Sequence, residues 1–389
     1  MASVQAQPEE LGPFFRPAVL SVADISMTML HSLRLAGRKN ETPAETQMKH
    51  QQTLMITQEA SGWELPSWQR QQADLITDPA ELLAMLDLPV ESLPDALSAA
   101  TDFPLRVPRS YVALMERGNP HDPLLRQVLS VADEMVAQPG FSADPLDEAE
   151  HTAVPGLLHK YHGRALLVVT GACAVHCRYC FRRHFPYQTH LSGKRWKQAL
   201  EWLAARPDIN EVILSGGDPL TLSNQRLEQL LDALESIPHL RRLRIHSRTP
   251  VVIPERLEVG LKALLTWRRW QTVLVLHGNH PREISPALVE RCRDLRSAGI
   301  TLLNQSVLLA GVNDRADTLA ELSDRLFDAG VMPYYLHQLD AVQGAAHFAV
   351  SDEAAREIHA ALRARLPGFL VPRLTREEPG EPAKTVLAG

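Results

Sequence analysis

The chain has 389 residues, 45% of them apolar and 22% charged, with a formal net charge of −6. That length suits one large domain or a large domain with a small partner, since α/β barrels often exceed about 200 residues as single units. The acidic balance argues against a nucleic-acid platform, and no apolar run approaches the roughly 18 residues of a membrane span. The first residues, Glu9, Glu10 and Arg16 among them, show no signal-peptide pattern, so a cytoplasmic protein is expected.

Residues 1–54 have mixed composition and no core pattern, which leaves two readings: a disordered extension, or a start codon assigned too far upstream. Residues 55–158 read as a helical N-terminal region. Its first convincing stretch runs from Glu64 to Leu88, where Asp78-Pro79-Ala80-Glu81 supplies an N-cap, a proline at the first helical position and an acid at the third. Pro104, Pro108, Pro120, Pro123 and Pro139 break the remainder into short helices.

Residues 159–372 read as a barrel. Strand-like apolar runs begin near Ala165, Glu211, Leu243, Thr272, Thr301 and Met332. The last five starts lie roughly thirty residues apart, the size of a strand plus a crossover helix. Helical stripes fill the intervals: Trp196, Ala199, Leu200 and Leu203, then Leu227, Leu230, Leu231 and Leu234. Ser285-Pro286 starts a further helix, and Gly330 ends the one after Asn313. Cys292 shares a helix face with Leu288 and Leu295 and reads as core. Six βα units predict an α/β fold whose parallel sheet curls into a partial (β/α)6 barrel; an open doubly wound sheet is the alternative. Residues 373–389 read as a short C-terminal tail.

Chemistry in β/α barrels sits at the carboxyl ends of the strands. The loop after the first strand holds Cys173, Cys177 and Cys180; the second ends in Ser215-Gly216-Gly217-Asp218, the third in His246-Ser247-Arg248 and the fourth in His277. The fifth carries Asn304-Gln305, and the sixth ends at Asp340. Reactive residue types therefore gather at one rim. Three thiolates on a short loop suit an iron–sulfur cluster with one iron left open; zinc, with His176 or His184 as fourth ligand, is the alternative. Ser215-Gly216-Gly217-Asp218-Pro219 is either a tight turn or a close approach of backbone to ligand. Arg241, Arg242, Arg244 and Arg248 could form a nucleic-acid patch, but Arg242, Arg244 and His246 alternate with Leu243, Ile245 and Ser247 as in a half-buried strand.

The spacing Cys173-x3-Cys177-x2-Cys180 directly after a first barrel strand resembles the radical S-adenosylmethionine (SAM) superfamily. That implies a [4Fe–4S] cluster on the three cysteines, with SAM's methionine part on the open iron and against Ser215, Gly216, Gly217 and Asp218. Over about residues 105–385 the chain resembles the lysine 2,3-aminomutase branch, through Phe181-Arg182-Arg183, Leu303-Asn304-Gln305-Ser306-Val307-Leu308-Leu309, Pro333-Tyr334-Tyr335 and Pro382-Ala383-Lys384-Thr385. Asn119 to Arg126 and Gln343 to Phe348 are most similar to the bacterial aminomutases that serve elongation factor P modification.

The resemblance implies further roles. Lys384 matches the lysine that holds pyridoxal phosphate covalently, and Lys160, Tyr161 and Arg164 match the cofactor's phosphate region. Arg182 matches the substrate-carboxylate arginine; Asp340 and Glu377 match the acids that hold the lysine ammonium; Gln305 and His277 match positions near SAM. The implied reaction converts free L-lysine to β-lysine: the cluster reduces SAM to a 5′-deoxyadenosyl radical, which takes hydrogen from C3 while the amino group migrates from C2. Implied partners are a flavodoxin- or ferredoxin-type electron donor and the lysyl-tRNA-synthetase-like ligase of elongation factor P. Two departures stand out: Arg315 occupies a position where catabolic relatives carry a zinc-binding cysteine, and the glycine-rich run before Lys384 is reduced to Gly380-Glu381-Pro382-Ala383. A catabolic aminomutase for lysine or another basic amino acid, and a cluster-bearing scaffold without catalysis, are the alternatives.

Overall fold

The computed structural model describes residues 68–89, 103–190 and 193–388. The expectation for residues 1–54 lies outside them. The described part of the region before the barrel holds short helices separated by turns and short strands. Pro79–Met85 is one, capped by Asp78, whose carboxylate accepts from the Ala80 amide at 2.9 Å. Beside it, β1 (Leu75–Ile76) and β2 (Val107–Pro108) form a small antiparallel pair.

The main sheet has ten strands whose spatial order is their order in the chain. These are β3 (Thr152–Val154), β4 (Leu157–Tyr161), β5 (Arg164–Thr170), β6 (Glu211–Gly216), β7 (Arg242–Ser247), β8 (Gln271–Leu276), β9 (Thr301–Val307), β10 (Met332–His337), β11 (Arg373–Arg376) and β12 (Thr385–Ala388). Strands β5 to β11 run parallel, while β3, β4 and β12 extend the two ends antiparallel. Six helices make the crossovers: α1 (Gly193–Ala204), α2 (Asn224–Glu235), α3 (Val259–Thr266), α4 (Pro286–Ser297), α5 (Ala316–Asp328) and α6 (Asp352–Arg363). Ser285 caps α4 as its sequence suggests, and Gly330 takes the left-handed φ of 79° just past α5.

Strictly sequential strand order with right-handed crossovers puts every crossover helix on one face. The core confirms it: Ala165, Leu167 and Val169 of β5, Leu214, Ile245, Leu274 and Leu302 pack with Ala199, Leu230, Leu288, Cys292 and Leu322 from the helices. Alternation along each strand then turns Arg164, Ser215, His246, His277, Gln305 and His337 to the opposite, interior face.

That face is concave. Lys160 at the end of β4 lies 3.2 Å from Glu377, which follows β11. Seven strand spacings separate β4 from β11, so a flat sheet would hold them about 33 Å apart. The sheet must curl, and a doubly wound sheet, whose strand order reverses, is excluded.

The six expected strands are β5 to β10. Four more in this sheet, and the separate β1–β2 pair, were not expected. β4 crosses the anticipated boundary at residue 158, and the segment read as a tail supplies β11 and β12. The sixth parallel strand stops at His337, three residues short of Asp340, which lies in the following loop.

Ionic contacts seat the cysteine loop. Arg178 is fully buried and pairs with Glu134 through two nitrogens, Nε at 2.8 Å from Oε1 and Nη2 on Oε2. Arg183 Nη2 reaches the same Glu134 Oε2 at 2.9 Å. Removing this carboxylate would strand two guanidiniums away from water. Glu134→Ala should therefore destabilise the fold by about 3–5 kcal/mol, read as a lower urea midpoint.

Candidate active site

Cys173, Cys177 and Cys180 sit together just past β5. Burial, then the nearby Cys180, Asp218 and Cys177, pushes the Cys173 thiol well up. Cys180 is pushed up to about 12 by burial and by Cys177, against the pull of Arg182. Thiols that crowd and desolvate one another lose their protons only when a cation replaces them. A positively charged iron core meets that requirement, so the donor set fits the cluster.

The glycine-rich segment after β6 packs on this loop. A Cβ on Gly217 would come 2.5 Å from the Ala172 carbonyl oxygen, and one on Gly216 would come 2.6 Å from that of Thr170. The Gly217 and Asp218 amides donate to those same two oxygens at 2.7 and 2.8 Å. Asp218, expected at the cofactor, has another task here. Its Oδ1 accepts from the Leu220 amide and Ser247 Oγ, and its Oδ2 from the amides of Arg248 and Thr249. All four bonds are to protein, so this carboxylate locks the loops after β6 and β7 together.

Arg182 is buried and held from three sides. Glu148 takes Nε at 2.8 Å and Nη2 at 2.6 Å; Nη1 donates to Ser215 Oγ at 2.9 Å. Burial disfavours the charged guanidinium, but Glu148 more than offsets this and keeps it protonated. Glu148 itself projects from a tight turn in which Asp147 adopts φ 50° and the Asp144 carboxylate accepts the amides of residues 148 and 149.

The far side of the interior gathers Lys160, Glu377, Lys384 and Asp340. Glu377 lies between Lys384 Nζ and Lys160 Nζ. Burial would raise its pKa, but the two cations outweigh it and hold it down at about 2. Glu377, expected to hold a lysine ammonium, meets two lysines of the chain itself through its two oxygens. Asp340 is pushed up to about 7, chiefly by burial, with Glu377 and Glu148 raising it and Lys384 and Lys160 drawing it down. Tyr161 carries Arg164 over its ring at 4.6 Å and Lys160 at 5.7 Å.

His277 meets the Tyr179 hydroxyl through Nε2 at 3.2 Å, and burial, then Arg248 and His337, keeps it neutral. Gln305 is half-buried on the same interior face. Arg242 and Arg244, weighed above as a basic patch, both pair with Glu211.

Four residues on this surface escaped sequence reasoning in their roles: Glu148, Arg248, His246 and His337. His246 and His337 flank the lysine cluster, and burial first, then nearby cations including Lys384, lowers both, His337 to about 3. The Nε2 of His246 is buried without a hydrogen-bond partner among the described residues. An uncharged imidazole, a lysine and the further cations Lys160 and Arg164 on one interior face suit an anionic aldehyde cofactor such as pyridoxal phosphate. Only the alternation around His246 could have shown which way that histidine faces.

Residues 167–267, from β5 through the end of α3, match the Radical SAM superfamily. The chain is 57% identical over 322 residues to an L-lysine 2,3-aminomutase of Escherichia coli, covering 82% of this chain and 94% of that protein. It is 48% identical over 335 residues to one of Haemophilus influenzae, covering 86% and 99%. Against one of Clostridium subterminale it is 35% identical over 321 residues, covering 82% and 77%. The chain belongs to the L-lysine 2,3-aminomutase family. Membership implies a [4Fe–4S] cluster, SAM and pyridoxal phosphate, which sets the zinc alternative aside.

After anaerobic reconstitution, Ala in place of Cys173, Cys177 or Cys180 should abolish bound iron and the cluster's visible absorbance. Cys292→Ala should keep both, because that thiol is fully buried in the helix–sheet core.

Proposed function

We propose that this chain is a lysine 2,3-aminomutase that converts free L-lysine to β-lysine in the cytoplasm, for a separate ligase that attaches β-lysine to elongation factor P. One observation carries the reading: a single concave interior holds a buried arginine fork, a lysine and two acids beside the cysteine loop. The cluster with SAM supplies the radical that abstracts hydrogen, and pyridoxal phosphate carries the migrating nitrogen. A flavodoxin- or ferredoxin-type protein supplies the electron. No helix of the described residues is long and apolar enough to cross a membrane.

The chain's own residues bind and orient. Arg182 offers a planar fork to the substrate carboxylate. Its Nε and Nη2 edge is already taken by Glu148, and Nη1 donates to Ser215 Oγ and the Gly216 carbonyl, so an incoming carboxylate competes with these partners or uses the second N–H of Nη2. Lys160, Tyr161 and Arg164 would hold the cofactor phosphate, and Lys384 would hold its aldehyde carbon. Ser215, Gly216 and Gly217 line the place of SAM's methionine part, with His277 and Gln305 nearby. Glu377, which meets both Lys384 and Lys160, would take the substrate's ammonium only in place of one of these lysines. Asp340 is the second acid for that charge. Fixing both ends of the substrate aims C3 at the radical, and small errors in such aim cost orders of magnitude in rate.

A free carboxylate and a free α-amine are needed here; a lysine inside a polypeptide offers neither. Anaerobic incubation with lysine, SAM and reductant should yield β-lysine, glutamate should react very poorly, and Lys384→Ala should yield none. The same reaction with elongation factor P already carrying α-lysine should be inert. Rapid turnover of that protein-bound lysine, with none of free lysine, would overturn both the role of Arg182 and the order of the steps.

The acid at residue 340 gives a pH signature. With a pKa near 7, Asp340 is mostly protonated at pH 6 and mostly ionised at pH 8, while the substrate's ammonium stays charged throughout. A cation binds the ionised form, so lysine affinity should rise about tenfold over that interval. Asp340→Asn should remove this component, measured by titration calorimetry of both proteins. Equal pH dependence in the two would refute the assignment.

A further inference from the structure

The loop after β7 presses a buried guanidinium against the cysteine loop. Arg248 Nη1 donates to Cys177 Sγ at 3.1 Å. Its Nη2 meets Glu283 Oε1 and Gln127 Oε1, each at 2.8 Å, and the Tyr111 hydroxyl at 3.2 Å. The guanidinium lies over the rings of Tyr111 and Tyr179, 5.8 and 5.4 Å from their centroids. Asp218 fixes its backbone by accepting the Arg248 amide at 2.7 Å. The side chain is 6% exposed, so water screens little of its charge.

We propose that Arg248 is a positioning residue that sets the reduction potential of the cluster, by holding a permanent cation and a hydrogen bond on the Cys177 ligand. This rests on Cys177 being a cluster ligand. The physical argument follows from charge. Reduction adds an electron to an anionic centre, and the cost of that charge falls when a donor sits on a sulfur ligand. Glu283 opposes the effect, but it meets Nη2, whereas Nη1 is the atom on the sulfur. The nearer charge dominates at short range in a dry site. The other groups on the guanidinium are neutral: Gln127, Tyr111 and Tyr179, with His277 held uncharged beyond Tyr179, while the Asp218 carboxylate meets the Arg248 backbone and stays in place in every variant.

A merely structural arginine would brace the segment carrying Tyr111 and Gln127 without moving the potential. The test therefore uses the full chain, reconstituted without air, as native protein, Arg248→Lys and Arg248→Gln. Iron and sulfide per chain report loading, and a potentiometric titration followed by electron paramagnetic resonance reports the midpoint. With native iron content, the Gln variant should show at least a tenfold lower ratio of reduced to oxidised cluster at the native midpoint, which is 59 mV for one electron. Arg248→Lys keeps a cation for Glu283 and should shift the midpoint part of the way. Tyr111→Phe removes a neighbour of Arg248 but no charge, and should leave the midpoint in place. Full loading with an unmoved midpoint in the Gln variant overturns the proposal, as does loss of the cluster from both Arg248 variants, which would make the arginine a brace. A native chain that takes up no cluster overturns instead the reading of Cys177 beneath it.

Discussion

A guanidinium taken out of water costs several kcal/mol unless an opposite charge meets it, and this chain buries four around one short loop. Arg178 and Arg183 share Glu134, Arg182 takes Glu148, and Arg248 takes Glu283. The acids come from distant places. Glu134 and Glu148 precede the barrel, whereas Glu283 follows β8. Pairing therefore draws the segment before the barrel across the rim and fixes where the cysteines stand. Replacing such pairs by apolar residues could leave a chain equally stable. What the charges add here is position: Arg248 meets the Cys177 sulfur and Arg182 the Ser215 hydroxyl, while Arg178 and Arg183 tie the cysteine loop to Glu134.

The same constraint works at the far wall. Lys160 and Lys384 converge on Glu377, and their pull overcomes the desolvation of its carboxylate. Asp340, lacking so close a cation, keeps its proton to near neutrality. Two acids a short way apart thus rest in different states, one ionised and already paired, the other close to balance. The interior is ready to exchange one cation for another without leaving a charge bare. None of this would be possible on a flat sheet, since β4 and β11 supply opposite halves of the Lys160–Glu377 contact.

Much of the frame was legible because it rests on local pattern. Strands β5 to β10 are apolar runs of six or seven residues at regular intervals, and the caps at Asp78 and Ser285 need only neighbours. β11 and β12 have four residues each, too few for alternation to speak, and β4 is masked by its polar His159-Lys160-Tyr161. The cysteines announced themselves by spacing. Lys384 did not; only the resemblance of its whole segment raised it above a solvated lysine. Glu148 and Arg248 were invisible as partners, because their contacts bridge 34 and 71 residues of chain. Asp144, Asp147, Glu148 and Glu150 stand close together in the chain, and nothing local says that one of them turns inward. For Asp218 the motif was visible and its task was not: a carboxylate saturated by three backbone amides and a serine hydroxyl looks, in sequence, like one that awaits a ligand.

The turn that carries Glu148 has one more attachment. Ser142, six residues earlier, pairs with Val342: its amide donates to the Ala341 carbonyl at 2.9 Å, and its carbonyl accepts the Gln343 amide at 2.9 Å. Ala341 adjoins Asp340. Arg183 and His184, next to Arg182, also reach the carbonyls of Gly344 and Gln343 on that loop. The two walls that would grip opposite ends of a substrate are thus geared together through main-chain bonds. The turn that carries Glu148 and the loop that carries Asp340 are neighbours along one short bridge, and the span between the arginine end and the acid end of the cleft is set by backbone rather than by side-chain reach.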